Sequence, residues 1–129
     1  MFTTCNKVFV YGTLKRGEGN HGYLLTSKFL GECRIPGILI DLGAFPAYIE
    51  SKDPETTVFG QVFEMADEGV GQRLDGLEGY PLFYNRAVKP TPLGDAWVYF
   101  LPGGSEARER NRDIIENGEW SPQPNYWSR

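Results

Sequence analysis

Two stretches of this chain carry residue types and spacings that can do chemistry. The first is Tyr11-Gly12-Thr13-Leu14-Lys15-Arg16, at the end of a β-branched and aromatic run. A strand that opens at a glycine can turn its next amides the same way. The N–H groups of Gly12, Thr13 and Leu14 would then form a concave donor set for an anion, most simply a carboxylate. Lys15 and Arg16 add positive field; a flexible turn with solvated cations is the plainer alternative. The second stretch is Leu74-Asp75-Gly76-Leu77-Glu78-Gly79-Tyr80-Pro81-Leu82-Phe83-Tyr84. Glu78 follows Leu74 at helical spacing, beside an apolar stripe, and at the carboxyl end of a predicted helix whose dipole disfavours an anion. With Leu77, Leu82 and Phe83 nearby, each factor favours the protonated acid and raises its pKa. A carboxyl group so placed is a candidate general acid/base; the competing reading points it to water or pairs it with Arg86. Asp75 is the rival acid, but it falls away from the Leu74/Leu77 stripe and is expected to face water.

Other chemistry is poorly supplied. The chain has two cysteines, Cys5 and Cys33, and one histidine, His21. That is too few for a tetrahedral zinc site at the usual spacing, and any Ser-His or Cys-His system would have to run through His21 in a Gly- and Asn-rich loop. No metal or cofactor is expected. Gly17, Gly19 and Gly22 spell G-x-G-x-x-G, but Gly12 to Arg16 separate them from the strand, so the turn cannot aim at a helix amino end as a dinucleotide needs. Glu18 after Gly17 also rules out a Walker-type phosphate loop. The enzymology open to this chain runs through carboxylates, hydroxyls and backbone amides.

Several elements must hold these two stretches. Lys7 to Tyr11 reads as a buried strand. Asn20 can cap a short helix from about His21 to Leu30, with Gly31 as its stop. Gly37 to Leu42 and Ala47 to Glu50 read as strands joined by Gly43 and Pro46. Thr57 to Met65 alternates as a half-buried strand, with a bulge or bend expected at Gly60. Asp67 reads as the N-cap of a helix whose Val70, Leu74 and Leu77 share a face. Strands follow at Arg86 to Lys89 and Ala96 to Leu101, then a charged helix capped by Ser105, from about Glu106 to Asn117. The tail, about 119–129, is aperiodic and rich in Trp, Tyr and Pro, so it docks as an extended strap or stays disordered. The strand gaps are too short for repeated crossover helices, so the pattern predicts an α+β fold, a small mixed β-barrel with flanking helices.

The 129 residues, 40% hydrophobic and 14% aromatic, suffice for one domain with a real core. The net charge of −4 argues against a generic nucleic-acid binder. No apolar run approaches a membrane span, and the amino terminus lacks a signal-peptide layout. With so few cysteines, free thiols in a reducing, cytoplasmic setting are expected, though a Cys5–Cys33 disulfide stays open.

At the two chemical stretches the chain resembles the γ-glutamylcyclotransferase-like, or AIG2-like, family. Its Tyr-Gly-[Ser/Thr]-Leu motif falls on Tyr11, Gly12, Thr13 and Leu14, and its acidic motif on Leu74, Asp75, Glu78, Tyr84 and Arg86. Gly37, Asp41 to Gly43, Pro46 and Gly60 resemble its middle region, and Ala96 to Tyr99 its last strand. The resemblance implies a mixed barrel with a cavity at one end. It implies that the Tyr11–Leu14 loop holds a glutamyl α-carboxylate, that Glu78 is the acid/base, and that Tyr84 and Tyr99 line the pocket. It also implies a small-molecule γ-glutamyl substrate and a monomer or weak homodimer. Two alternatives stand beside a cyclotransferase. One is a non-catalytic binding or regulatory domain on the same fold. The other is a related enzyme that removes a γ-glutamyl protecting group.

Overall fold

A computed structural model describes residues 5–43, 45–51, 53–102 and 113–121. The strands are β1 (Lys7–Val10), β2 (Lys28–Pro36), β3 (Ile38–Asp41), β4 (Pro46–Ile49), β5 (Thr57–Glu64), β6 (Asn85–Lys89) and β7 (Ala96–Phe100). Helix α1 spans Glu68–Glu78 between β5 and β6. One sheet has the order β2-β5-β1-β7-β6, and β3 and β4 form a separate hairpin. The fold is therefore α+β on a mixed sheet. The sheet is mixed because β1 lies antiparallel to β5 and parallel to β7, with Val8 opposite Trp97. Its central place explains the near-complete burial of Val8, Phe9 and Val10. Ladder pairing stays within the two sheets, while the Leu101 amide donates to the Tyr48 carbonyl at 2.8 Å and ties the hairpin to the end of β7.

Helix α1 starts as its sequence suggests. Asp67 is extended, and its Oδ1 accepts from the Val70 amide at 3.1 Å, satisfying one of the free first-turn donors. Val70 and Leu74 are fully buried on the core face. Gly79 takes the left-handed conformation and stops the helix directly after Glu78.

Three expectations need correction. The helix expected from His21 to Leu30 is a single 3-10 turn, His21–Leu24, and the chain then enters β2. The Asn20 side chain caps nothing; its Nδ2 donates to Thr13 Oγ1 at 2.9 Å. Strand β2 pairs with β5 from Lys28–Glu64 to Pro36–Thr57, and this long-range ladder outweighs a weak local helical pattern. The bulge lies in β2, between Phe29 and Gly31, rather than at Gly60. Gly60 instead lies under the Phe9 ring, where a Cβ would collide. The helix expected from Glu106 to Asn117 falls partly outside the described residues. Its last part is not helical: Ile114 bridges to Ile40, and the Asp41 and Ile115 amides bond the Asp113 and Leu39 carbonyls at 2.8 Å each. The free edge of β3 and the Ile38/Ile40/Ile49 cluster give this segment more pairing and burial than a solvated helix would.

Of the tail, Trp120 is buried in the cluster of Phe9, Ile35, Tyr48 and Val58, so this part docks; residues 122–129 lie outside the described ones. Cys5 and Cys33 are both free thiols. Among the described residues no helix is long and apolar enough to cross a membrane.

Candidate active site

The end of β1, the end of α1, the start of β4 and strand β7 meet around a cavity of about 40 Å³. Phe9 to Leu14, at the end of β1 and the start of the loop, border it on one side; Pro46, Glu78 and Tyr99 complete it. A Cβ on Gly12 would come within 2.7 Å of Pro46 Cγ, so only glycine lets the loop turn against the β3–β4 hairpin.

The loop is braced from outside and open towards the cavity. Asn20 holds Thr13 through both its side chain and its amide, which donates to the Thr13 carbonyl at 2.8 Å. His21 Nδ1 lies 3.1 Å from the Leu14 carbonyl, and the Lys15 amide closes a turn onto the Gly12 carbonyl at 3.1 Å. The Arg16 amide donates to Gln61 Oε1 at 2.8 Å, and the Arg16 guanidinium stacks on Phe29. Among the described residues, the amides of Gly12, Thr13 and Leu14 donate to nothing. Three unspent donors at one cavity wall suit an anion.

Glu78 is the last residue of α1. Burial pushes its carboxyl up to about 7 from an ordinary value of 4.5. Among the described residues its carboxyl makes no ion pair or hydrogen bond. Arg86 belongs to Asp75 instead, with Nε at 2.8 Å from Oδ1 and Nη2 at 3.3 Å from Oδ2. Asp75 therefore does not face water as expected. It lies three residues before Glu78, close to the same helical face, and also accepts the Tyr99 hydroxyl at 2.6 Å. The helical spacing of the two acids was the available signal; the apolar stripe, taken alone, hid it.

The expected substrate residues divide into two sets. Tyr11, Gly12, Thr13, Leu14 and Tyr99 share the cavity with Glu78. Tyr84 does not border it; its hydroxyl donates to the Pro46 carbonyl at 2.7 Å, and Glu78 is near enough to help raise its pKa. The Tyr11 hydroxyl is spent on structure, donating to the Tyr99 carbonyl at 2.7 Å and accepting from the Tyr48 amide at 3.2 Å. Burial raises the pKa of Tyr11, Tyr84 and Tyr99 alike, so all three stay neutral phenols. Pro46 reads in the sequence only as a turn residue and a point of family likeness, because nothing in its sequence setting marks it as cavity lining.

A larger cavity, about 440 Å³, lies elsewhere, between Ile35, Pro36, Tyr48, Glu50 and Lys89. Its polar groups are already paired: Lys89 with Glu50, and the Tyr48 hydroxyl with the Pro36 carbonyl. Volume is a weaker guide here than the unspent groups of the smaller cavity. Among the described residues no three His, Cys, Asp or Glu side chains converge as a metal would require.

Fold and site together define a small α+β protein in which an acid and a loop of free amides line one cavity. Residues 8–122 match the family described as Gamma-glutamyl cyclotransferase, AIG2-like, and the chain belongs to that family. A provisionally named gamma-glutamylcyclotransferase of Vibrio cholerae is 40% identical over 115 residues, which cover 88% of this chain and 93% of that one. The gamma-glutamylcyclotransferase family protein YtfP of Escherichia coli K12 is 30% identical, over 88% of this chain and 95% of its own. Its solution structure aligns with a TM-score of 0.66. The crystal structure of an AIG2-like protein from Mus musculus shares the fold, with a TM-score of 0.74 over 94% of this chain and 97% of that one, at 22% identity.

Proposed function

We propose that the protein is a cyclotransferase that releases 5-oxoproline from a γ-glutamyl amine or γ-glutamyl amino acid. The observation that carries this reading is one cavity shared by an unpaired, high-pKa Glu78 and three unspent amides. The amides of Gly12, Thr13 and Leu14 receive the substrate's α-carboxylate. That fixes the α-nitrogen beside Glu78, with the γ-carbonyl of the same molecule in reach. Glu78 takes a proton from the α-ammonium, and the freed amine attacks the γ-carbonyl carbon. A five-membered lactam forms and the bond to the leaving nitrogen breaks.

Two protons leave the α-nitrogen and two arrive on the departing amine. Glu78 returns the one that C–N cleavage needs, and the other exchanges through water. A single carboxyl group can serve in both directions when its pKa lies near the working pH. The substrate supplies the nucleophile, and intramolecular attack already has a large proximity advantage, so no side-chain nucleophile is required.

The test is a panel of γ-glutamyl amines, γ-glutamyl amino acids and glutathione, assayed for 5-oxoproline. Turnover of at least one, lost in Glu78→Gln, is the expected result. No turnover of any would favour a binding domain that retains the cavity.

A further inference from the structure

Three buried phenols lie close enough to Glu78 to feel its charge: Tyr11 just after β1, Tyr84 just before β6, and Tyr99 on β7. The charged groups beside them are Asp75 on the same helix and Arg86 from β6, which bind each other. Every phenolic proton is already committed. Tyr11 donates to the Tyr99 carbonyl, Tyr84 to the Pro46 carbonyl and Tyr99 to Asp75. None goes to Glu78.

The Tyr99 commitment differs in kind, because its acceptor is a carboxylate and the bond is short, at 2.6 Å. The acceptor is itself fixed by two contacts from Arg86, whose guanidinium lies 4.4 Å from the Tyr80 ring centre and 4.5 Å from that of Trp97. Arg86 and Tyr99 are both buried, so neither can easily change partner.

We propose that Asp75 is a positioning residue of the Glu78 site: anchored by Arg86, it takes the Tyr99 proton and leaves Tyr99 facing the cavity as a hydrogen-bond acceptor. Two consequences follow for the reaction, given the reading of Glu78 as its acid/base. Glu78 receives no phenolic donor, which would stabilise its carboxylate and weaken it as a base. The Tyr99 oxygen keeps a lone pair for an N–H of the substrate's α-ammonium, beside the group that deprotonates it. The Asp75–Arg86 pair is also neutral as a unit, so the guanidinium does not favour ionised Glu78.

The experiment follows the Glu78 side-chain carboxyl carbon by NMR across pH in the full chain, alongside the pH profile of kcat/KM. Asp75→Asn keeps the size but offers an amide donor to Tyr99 and removes the negative charge held against Arg86. The Glu78 midpoint should fall by about one pH unit or more, and the acid limb of kcat/KM should move with it. Asp75→Asn/Tyr99→Phe should recover part of that shift, because the phenolic proton is gone. Tyr99→Phe alone should raise KM about tenfold while leaving the Glu78 midpoint in place.

A folded Asp75→Asn with an unchanged midpoint overturns the proposal. A double variant shifted as far as the single one also overturns it, since the guanidinium alone would then act. If Asp75→Asn does not fold, Tyr99→Phe decides: an unchanged KM counts against the acceptor role. Should the wild-type chain turn over no γ-glutamyl compound, the proposed activity fails, and the NMR midpoints still decide the role of Asp75.

Discussion

Lys15 Nζ donates to the Trp120 carbonyl at 2.7 Å, so the loop that supplies the free amides is held from behind by the end of the described chain. Lys15 is buried and lies near the Phe59 ring, and Trp120 is only 4% exposed. Lys15→Met should strand a buried carbonyl at a cost of about 1–3 kcal/mol. Trp120→Ala, which empties a large core site, should cost about 3–5 kcal/mol. Urea denaturation measures both, and a Lys15→Met variant as stable as wild type would show that the contact contributes nothing.

Glu78→Gln should abolish 5-oxoproline release and, above neutrality, make the protein more stable. The folded pKa, about 7, lies above the ordinary value of 4.5. A carboxyl raised in this way contributes fully below the lower value, and stability is lost as pH rises through the upper one. At roughly 1.4 kcal/mol per unit, the penalty at pH 8 is on the order of 3 kcal/mol. Glutamine never ionises, so the variant should exceed wild type at pH 8 and match it at pH 4. Equal stabilities at both pH values would mean that the acid is not held at high pKa.

The rate should carry the same signature with the opposite benefit. In the proposed reaction only ionised Glu78 accepts the α-ammonium proton, so kcat/KM should rise with pH and level off above about 7. An acid limb near 4.5 would assign the base to an ordinary exposed carboxylate.

Thr13→Pro deletes one loop donor and should raise KM for the γ-glutamyl substrate ten- to a hundredfold, from the roughly 1.5–3 kcal/mol of a hydrogen bond to a charged group. Thr13→Val is the control, since it keeps the amide and loses only the hydroxyl that accepts from Asn20. If both variants behave alike, the hydroxyl contact and not the amide is responsible.

What could be foreseen depended on how local its cause was. Strand β1, the β3–β4 hairpin, β5 and the Asp67-capped helix each advertise themselves through alternation, a turn residue or a cap. Glu78 could be singled out because burial and helix end are both properties of its own neighbourhood. Strand β2 could not, because its partly exposed residues are organised by a ladder to β5 some thirty positions away. Asp75 was misplaced for the same reason. Its partners, Arg86 and Tyr99, arrive from β6 and β7, and no local pattern announces a part-buried charge whose counter-charge lies on another element. Ile114 likewise reads as helical until the bare edge of β3 is set beside it.

The position of β1 between β5 and β7 has a consequence for the growing chain. β1 precedes both of its partners in the chain, so it must wait for Thr57–Glu64 on one flank and Ala96–Phe100 on the other before both edges are filled. The amide loop at its end is therefore synthesised well before the last strand that seats it. A nascent polypeptide carries both the loop and the acid long before they enclose a common cavity. The cavity is complete only when β7 is in place, and its formation during refolding would time the arrival of that strand.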